Sequence, residues 1–229
     1  MAVGAERGDD DRGAHEDLFR GERRERPDCI LEAILKPPSS GSTDAAPTTT
    51  PGRLERIDSL DRALSRRAAV GWPHPRWFTL PLSALSLTAN YGILWYAVCL
   101  LPWLFGEPDP LRTALYVAVP VTLVEATGFG VKRLVARPRP PVADPDLPVQ
   151  IPLPYSKSFP SSHASMSMVA VLTLGALYPW ALPWLAALAV VLCFSRVYLG
   201  VHYLGDVLGG VVYGLVFGAL WVWLVPLGF

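Results

Sequence analysis

The chain has 229 residues, 51% of them hydrophobic, and its 20 basic and 20 acidic side chains give a net charge of zero. The charges are concentrated near the N-terminus: residues 1–76 hold 13 of the basic and 14 of the acidic side chains, and the other 153 residues hold seven and six. This asymmetry excludes a uniformly soluble globular chain and predicts a membrane protein with a polar tail and no nucleic-acid partner.

The first 53 residues predict a disordered tail. They are charged and then rich in Pro, Ser, Thr and Gly ("KPPSSGSTDAAPTTTPGR"), a composition that buries too little apolar surface to offset chain entropy. The N-terminus lacks the apolar core of a secretory signal, so we expect targeting to come from the membrane helices. The three cysteines, Cys29, Cys99 and Cys193, show no disulfide framework and no Cys/His metal spacing.

Residues 54–76 predict an amphipathic helix at the membrane surface. Leucine, isoleucine and alanine recur at helical spacing on one side, and arginines occupy the other. The apolar positions are Leu54, Ile57, Leu60, Leu64 and Ala68.

The remaining residues, 77–229, predict a membrane-embedded domain. It contains long apolar runs separated by turn signals, each near the length of about 20 residues that crosses a bilayer. The runs fall at about 84–105, 111–133, 161–180, 182–199 and 204–227. We therefore predict an all-α polytopic bundle with about five transmembrane helices, preceded by the amphipathic helix and the disordered tail. A further crossing around 72–90 is conceivable, but Pro73, Pro75 and Pro81 argue against a regular helix there.

Two further features of the apolar runs are open to a structural explanation. Gly210, Gly214 and Gly218 recur every four residues in the last run and predict a closely packed helix face. Glu125 lies seven residues before Lys132, so it either tunes that lysine or has a packing or hydrogen-bonding role.

Polar residues cluster at particular ends of these runs. If the runs cross the membrane in alternating directions, all of these ends lie at one membrane face. Each has an ordinary explanation alone: basic residues anchor helix ends, Ser caps a helix, and a His/Asp pair at i, i+4 is often structural. The cluster comprises Lys132, Arg133, Arg137, Arg139, Ser161, Ser162, His163, Ser195, Arg196, His202 and Asp206.

The convergence of these residues favours chemistry on a phosphate. Lys132, Arg139 and Arg196, together with the free N–H groups of a helix start, suit a dianionic phosphate. Asp206, one turn after His202, can fix the tautomer of that histidine and leave its Nε2 free to attack phosphorus. His163, beside the predicted phosphate, could protonate the leaving oxygen.

These residues form a recognisable three-part signature. "KRLVARPRP" gives Lys132-x6-Arg139-Pro140, "PSSH" gives Pro160-Ser161-x-His163, and "SRVYLGVHYLGD" gives Ser195-Arg196-x5-His202-x3-Asp206. In this order the three blocks resemble the type 2 phosphatidic acid phosphatase superfamily, which also contains the vanadium haloperoxidases. The resemblance covers about residues 84–227.

The resemblance implies a role for each matching residue. His202 would be the nucleophile that forms a phosphohistidine, Asp206 its orienting partner and His163 the general acid. The phosphoryl oxygens would be bound by Lys132, Arg139, Arg196 and Ser161, with Ser162 contributing at least a backbone N–H. No metal and no cofactor are expected, because fixed cations would do the work of a metal ion.

Two features depart from the family pattern. Ser162 stands where the family usually has glycine; it would be strained at positive φ but costs little in a first helical turn, which we expect. Larger members have six membrane helices, against the five predicted here.

The expected activity is hydrolysis of a lipid phosphomonoester or diphosphate by an integral protein of a bacterial cell membrane. Phosphatidic acid-like lipids, phosphatidylglycerol phosphate and polyprenyl phosphates or diphosphates all fit, and the oligomeric state stays open. Alternatives are a vanadate-dependent haloperoxidase-like enzyme and a non-catalytic binding or scaffold protein. The distribution of basic residues favours a cytoplasmic N-terminal tail and leaves the membrane face of the active site open.

Overall fold

The computed structural model describes residues 52–104 and 106–226. Apart from residues 52 and 53, the predicted disordered tail lies outside the described residues, as do Cys29 and the end of the last predicted run. The described elements are all helical, as the sequence predicted. They are α1 (Arg53–Val70), α2 (Arg76–Thr88), α3 (Ile93–Cys99), α4 (Leu101–Leu104), α5 (Pro110–Val135), α6 (Pro140–Ala143), α7 (Ser162–Leu177), α8 (Leu182–Tyr198) and α9 (Leu204–Leu224), with 3-10 turns at Asn90–Gly92 and Pro179–Ala181.

Three helical stretches in the described residues are long and apolar enough to cross a membrane: Pro110–Ala143, Pro179–Tyr198 and Leu204–Leu224. A fourth candidate is a broken one, because Arg76–Thr88 and Asn90–Leu104 meet at an angle of 60°. Helix α7, at 16 residues, is apolar but shorter than the other candidates. The chain is therefore an all-helical protein with three or four candidate spans and a shorter apolar helix among them.

The first apolar run is interrupted, where the sequence predicted one helix over 84–105. Tyr91 and Gly92 adopt left-handed backbone angles, φ 54° and 80°, which end one helix and start the next in a new direction. A side chain at Gly92 would also lie 3.2 Å from Met166 Sδ. Glycine suits this turn because it combines positive φ with a close approach to α7.

The expectation that prolines prevent a helix around 72–90 was wrong. Helix α2 occupies Arg76–Thr88, with Pro75 at the position before its first residue and Pro81 inside it. Pro73 and Pro75 precede the helix and do not interrupt it, so Pro81 alone removes a backbone donor from it. Membrane helices tolerate such a loss when neighbouring groups satisfy the freed carbonyl.

Helix α7 is the centre of the bundle and packs against α5, α8 and α9. Its side chains are buried from Ala164 to Ser167 and again at Val169, Ala170, Thr173 and Leu174. Two of the hydroxyl groups among them are satisfied locally, since Ser165 Oγ donates to the Ser161 carbonyl (3.0 Å) and Thr173 Oγ1 to that of Val169 (2.8 Å), while Ser167 Oγ accepts from Trp95 Nε1 (3.2 Å). The polar start of α7 is thus held inside the protein.

The glycine face of α9 packs against α7, as the four-residue spacing predicted. Gly210, Gly214 and Gly218 are all buried. A methyl group at Gly214 would lie 2.3 Å from the Ser165 carbonyl oxygen, and one at Gly210 would lie 2.5 Å from that of Ser161. Glycine therefore sets the distance between α7, which carries His163, and α9, which carries Asp206.

Candidate active site

A cavity of about 380 Å³ lies among α2, α5, the start of α7 and the loop before it. It brings together six of the eight predicted site residues. Its lining comprises Leu87, Asn90, Tyr91, Glu125, Phe129, Lys132, Arg139, Pro152, Leu153, Pro154, Tyr155, Ser156, Ser162, His163, Arg196 and His202.

Three buried cations line this cavity, and among the described residues none of them is within ion-pair distance of a carboxylate, although Glu125 lines the same cavity. Lys132, Arg139 and Arg196 are 3%, 4% and 1% exposed. The ion pairs found among the described residues include none of the three. A buried charge without a counter-ion is costly, so the three cations together form a site for an anion.

Local structure fixes each cation in place. Helix α5 ends at Ala136, whose left-handed φ of 51° turns the chain back after Lys132 and returns Arg139 to the same cavity. Lys132 Nζ donates to Ser162 Oγ, and Arg139 Nε donates to the Ser156 carbonyl (2.8 Å). The Arg139 guanidinium is therefore held in a fixed orientation, which suits the bidentate recognition of phosphate.

Arg196 retains unused hydrogen-bonding capacity. Its Nη1 donates to Ser86 Oγ, while its buried Nε has no hydrogen-bond partner in the part of the chain that the structure describes. Buried donors of this kind are normally satisfied, so the vacant N–H indicates a place for a ligand oxygen.

The hydrogen bonds of His202 fix its tautomer. Arg139 Nη1 lies 3.0 Å from His202 Nε2, and because arginine can only donate, Nε2 is the unprotonated nitrogen. The proton is then on Nδ1, which lies 3.5 Å from Asp206 Oδ2. Burial first, and then the cations Arg139, Arg196 and Lys132, hold the pKa of His202 well below its usual range. The neutral imidazole thus presents a lone pair to the cavity.

Asp206 lies behind His202 and does not line the cavity. It is fully buried, and its Oδ2 accepts the Tyr203 N–H (2.9 Å) while its Oδ1 accepts Arg137 Nη1 (2.8 Å). Asp206 is therefore held by these two neighbours at the first turn of α9, in a position to orient His202.

His163 faces His202 across the cavity and is held by a residue far away in sequence. Its Nε2 donates to the backbone carbonyl of Ser86 at 2.9 Å, which leaves Nδ1 as the nitrogen without that contact. Ser86 thus contacts both His163, through its carbonyl, and Arg196, through its hydroxyl. Ser86 could not be predicted from the sequence, because a serine in an apolar run gives no signal of its own.

The two predicted serines occupy different positions. Ser162 is the first residue of α7 and lines the cavity, with no positive φ, so serine there carries no backbone strain. Ser161 does not line the cavity: its N–H donates to the Asp206 carbonyl (3.0 Å), and its buried hydroxyl has no hydrogen-bond partner among residues 52–104 and 106–226. Ser156, which was not predicted, lines the cavity and accepts from Arg139 Nη2 through its hydroxyl (3.1 Å).

The sequence of the chain matches known proteins over this same region. The model of the PAP2 superfamily matches residues 111–228. The decaprenylphosphoryl-5-phosphoribose phosphatase of Mycolicibacterium smegmatis is 35% identical over 127 residues, 56% of this chain and 68% of that protein. The undecaprenyl-diphosphatase BcrC of Bacillus subtilis is 29% identical over 142 residues, 60% of this chain and 72% of that protein.

The fold also matches a solved structure. The transmembrane PAP2-type phosphatidylglycerolphosphate phosphatase of Bacillus subtilis superposes with a TM-score of 0.58 and 23% sequence identity. The match covers 86% of this chain and 90% of that one. It extends the likeness of fold beyond the residues that the family model covers.

Proposed function

The chain belongs to the PAP2 superfamily and is an integral membrane lipid phosphatase, and we propose that it hydrolyses a polyprenyl-linked phosphate or diphosphate through a phosphohistidine at His202. The observation that carries this proposal is the set of three buried, unpaired cations that share a cavity with a neutral histidine. A phosphate dianion supplies the counter-charge that these cations lack.

The first chemical step is attack on phosphorus. Lys132, Arg139 and Arg196 bind the phosphoryl oxygens, and Arg139 exchanges its contact with His202 Nε2 for one with the substrate. The freed lone pair of Nε2 forms the N–P bond as the P–O bond to the leaving group breaks. Asp206 stabilises the positive charge that develops on the imidazole.

The second histidine completes the reaction. His163, protonated on Nδ1 and held through Nε2 by the Ser86 carbonyl, gives its proton to the leaving oxygen. It then accepts a proton from the water that attacks the phosphohistidine, so that inorganic phosphate is released and both histidines return to their starting states. The buried cations supply the electrostatic stabilisation, and no divalent metal is needed.

The lipid chain reaches this site from the bilayer. Apolar side chains form the rim of the cavity next to the bend between α2 and α3: Tyr91 is 72% exposed and Phe129 on α5 is 41% exposed. We propose that the polyprenyl chain leaves the cavity between these two side chains. Two of the relatives are named for polyprenyl substrates, a sugar phosphate in one case and a diphosphate in the other.

We also propose that five segments cross the bilayer, with the bent α2–α4 stretch and α7 each counted as one. Helix α1 then lies on the membrane surface on the same side as the active site, because Leu54, Ile57, Leu60 and Leu64 remain exposed while Ser65 and Ala69 face the protein. The positive-inside rule favours the cytoplasm for this face and for the N-terminal tail.

The test is phosphate release by the purified protein in detergent, with EDTA present. The panel comprises decaprenylphosphoryl-5-phosphoribose, undecaprenyl diphosphate, phosphatidic acid and phosphatidylglycerol phosphate. We expect release from the polyprenyl substrates, none from the His202→Ala variant, and near wild-type release from Arg133→Gln. Arg133 is an exposed cation next to Lys132 outside the cavity. Retention of most activity by His202→Ala would refute the mechanism.

A further inference from the structure

The polar face of α1 caps the start of α9. Asp61 Oδ1 accepts the N–H of Gly205, and Ser65 Oγ accepts the N–H of Leu204, both at 2.8 Å. Leu204 and Gly205 are the first two residues of α9, where N–H groups have no partner within the helix. A helix more than 130 residues away in sequence thus supplies the caps that a local residue usually provides.

The same carboxylate connects α1 to Asp206. Asp61 Oδ2 accepts Arg137 Nη2 at 2.7 Å, and Arg137 Nη1 donates to Asp206 Oδ1 at 2.8 Å. The side chains of Asp61 and Arg137 are 13% and 15% exposed, and that of Asp206 is fully buried. One arginine is therefore shared between α1 and the carboxylate that orients the nucleophile.

Further contacts leave the arginine little freedom. The Arg137 guanidinium also donates to Asp58 Oδ1 (2.8 Å) and lies 4.1 Å from the ring centre of Tyr203. Tyr203 in turn donates its backbone N–H to Asp206 Oδ2. Arg137 therefore bonds to Asp206 on one side and to the carboxylates of α1 on the other. The position of Asp206 relative to His202 depends on both sets of bonds.

We propose that Asp61 is a positioning residue for catalysis, and that α1, through Asp61 and Arg137, sets the geometry of the His202–Asp206 pair. This inference rests on the role of His202 proposed above. Residues 53–70 precede the region that the family model matches, which begins at residue 111.

Loss of the Asp61 charge has a defined consequence. Arg137 then loses its ion pair with Asp61 and interacts more strongly with its buried partner Asp206. The Gly205 N–H loses its charged acceptor. Both changes alter the contact between Asp206 and His202 Nδ1. The phosphate-binding cations, Lys132, Arg139 and Arg196, make no contact with Asp61, so substrate binding is unaffected.

The experiment measures kcat, KM and the single-turnover rate of phosphoenzyme formation with farnesyl phosphate. For Asp61→Asn we expect kcat and phosphoenzyme formation to fall about 10-fold with KM within about twofold, and Asp61→Glu to recover part of the rate. Arg66→Gln is the matched control, because it removes another contact of α1, the exposed pair with Asp144 at 2.8 Å, and is expected to leave kcat unchanged.

A double variant tests the route through Arg137. If Asp61 acts mainly through this arginine, Asp61→Asn has a much smaller effect on kcat in an Arg137→Gln background, where only the contact with the Gly205 N–H remains to be lost, whereas additive losses overturn the proposal. If Asp61→Asn does not accumulate in the membrane, Ser65→Ala tests the same docking: a fall in kcat of about twofold or more at constant KM supports it, and an unchanged kcat overturns it.

The two proposals fail separately. An active His202→Ala variant refutes the proposed mechanism itself. An inactive His202→Ala variant together with a wild-type kcat in Asp61→Asn refutes only the role of Asp61. Asp61→Asn and Arg66→Gln could also both lower thermal stability without changing kcat. That result would assign α1 a structural role alone and would also overturn the inference.

Discussion

Replacement of Gly214 by alanine is expected to destabilise the protein and to slow catalysis together. The added methyl group would lie 2.3 Å from the Ser165 carbonyl oxygen and 2.8 Å from Ser165 Cα, where ordinary contact begins at 3.4 Å. Helices α7 and α9 must therefore separate locally by about 1 Å, since both obstructing atoms belong to the backbone. Overpacking of this kind costs about 1–3 kcal/mol, of which the better helix propensity of alanine returns up to about 1 kcal/mol.

The catalytic effect follows from what the two helices carry. His163 lies in the first turn of α7, and Asp206 lies two turns before Gly214 on α9. A displacement of about 1 Å at the reacting groups costs about 100-fold in rate when it is fully transmitted, so we expect a loss of about 10- to 100-fold.

The matched control is Gly130→Ala on α5, because a methyl group there meets nothing within 4 Å. It is expected to be neutral or to stabilise by up to about 1 kcal/mol, with unchanged activity. The assay combines unfolding in mixed micelles of increasing SDS content with phosphate release. If the two alanine variants are equally stable and equally active, the close packing of α7 on α9 is not what holds the site together.

Two further predictions concern the acid and the orientation in the membrane. The variant His163→Ala is expected to lose about 10²–10⁴-fold on a lipid phosphate but much less on an aryl phosphate with a good leaving group, measured as phosphate release; equal losses on both would contradict its role as the acid. Single cysteines at Asp146 and Asp109, introduced with Cys29 replaced by serine, are expected to react with an impermeant maleimide from opposite sides of the membrane, with position 146 on the same side as the active site. Labelling of both from one side would contradict the five-crossing arrangement.

Much of the site was accessible from sequence because the chemistry depends on residue types at fixed spacing. Cations at the ends of apolar runs meet at one membrane face, and a histidine four residues before an aspartate lies near it, although His202 itself precedes the first residue of α9. Lys132, Arg139, Arg196, His163 and His202 do line one cavity in the structure. The glycine spacing in α9 was informative for the same reason, since a period of four is a property of the helix itself.

Features that depend on contacts between distant segments could not be predicted in this way. Ser86 contacts His163 across 77 residues of sequence, and Asp61 contacts Gly205 across 144. The local sequence does not distinguish either residue, because Ser86 lies in an apolar run and Asp61 lies on the charged face of an amphipathic helix. Ser161 is a further example: the packing of α9 against α7 directs its N–H to the Asp206 carbonyl, a contact that its place in the signature does not indicate, and its role as a phosphate ligand stays a prediction.

Hydropathy, charge placement and motif spacing are properties of the chain, so a helical membrane protein of the lipid phosphatase type could be recognised before its structure was known. The support of the site could not: the Ser86 carbonyl accepts from His163, and α1 docks on the start of α9. Hydrogen bonds between helices depend on their relative position, which the packing of the whole bundle sets and no local pattern encodes.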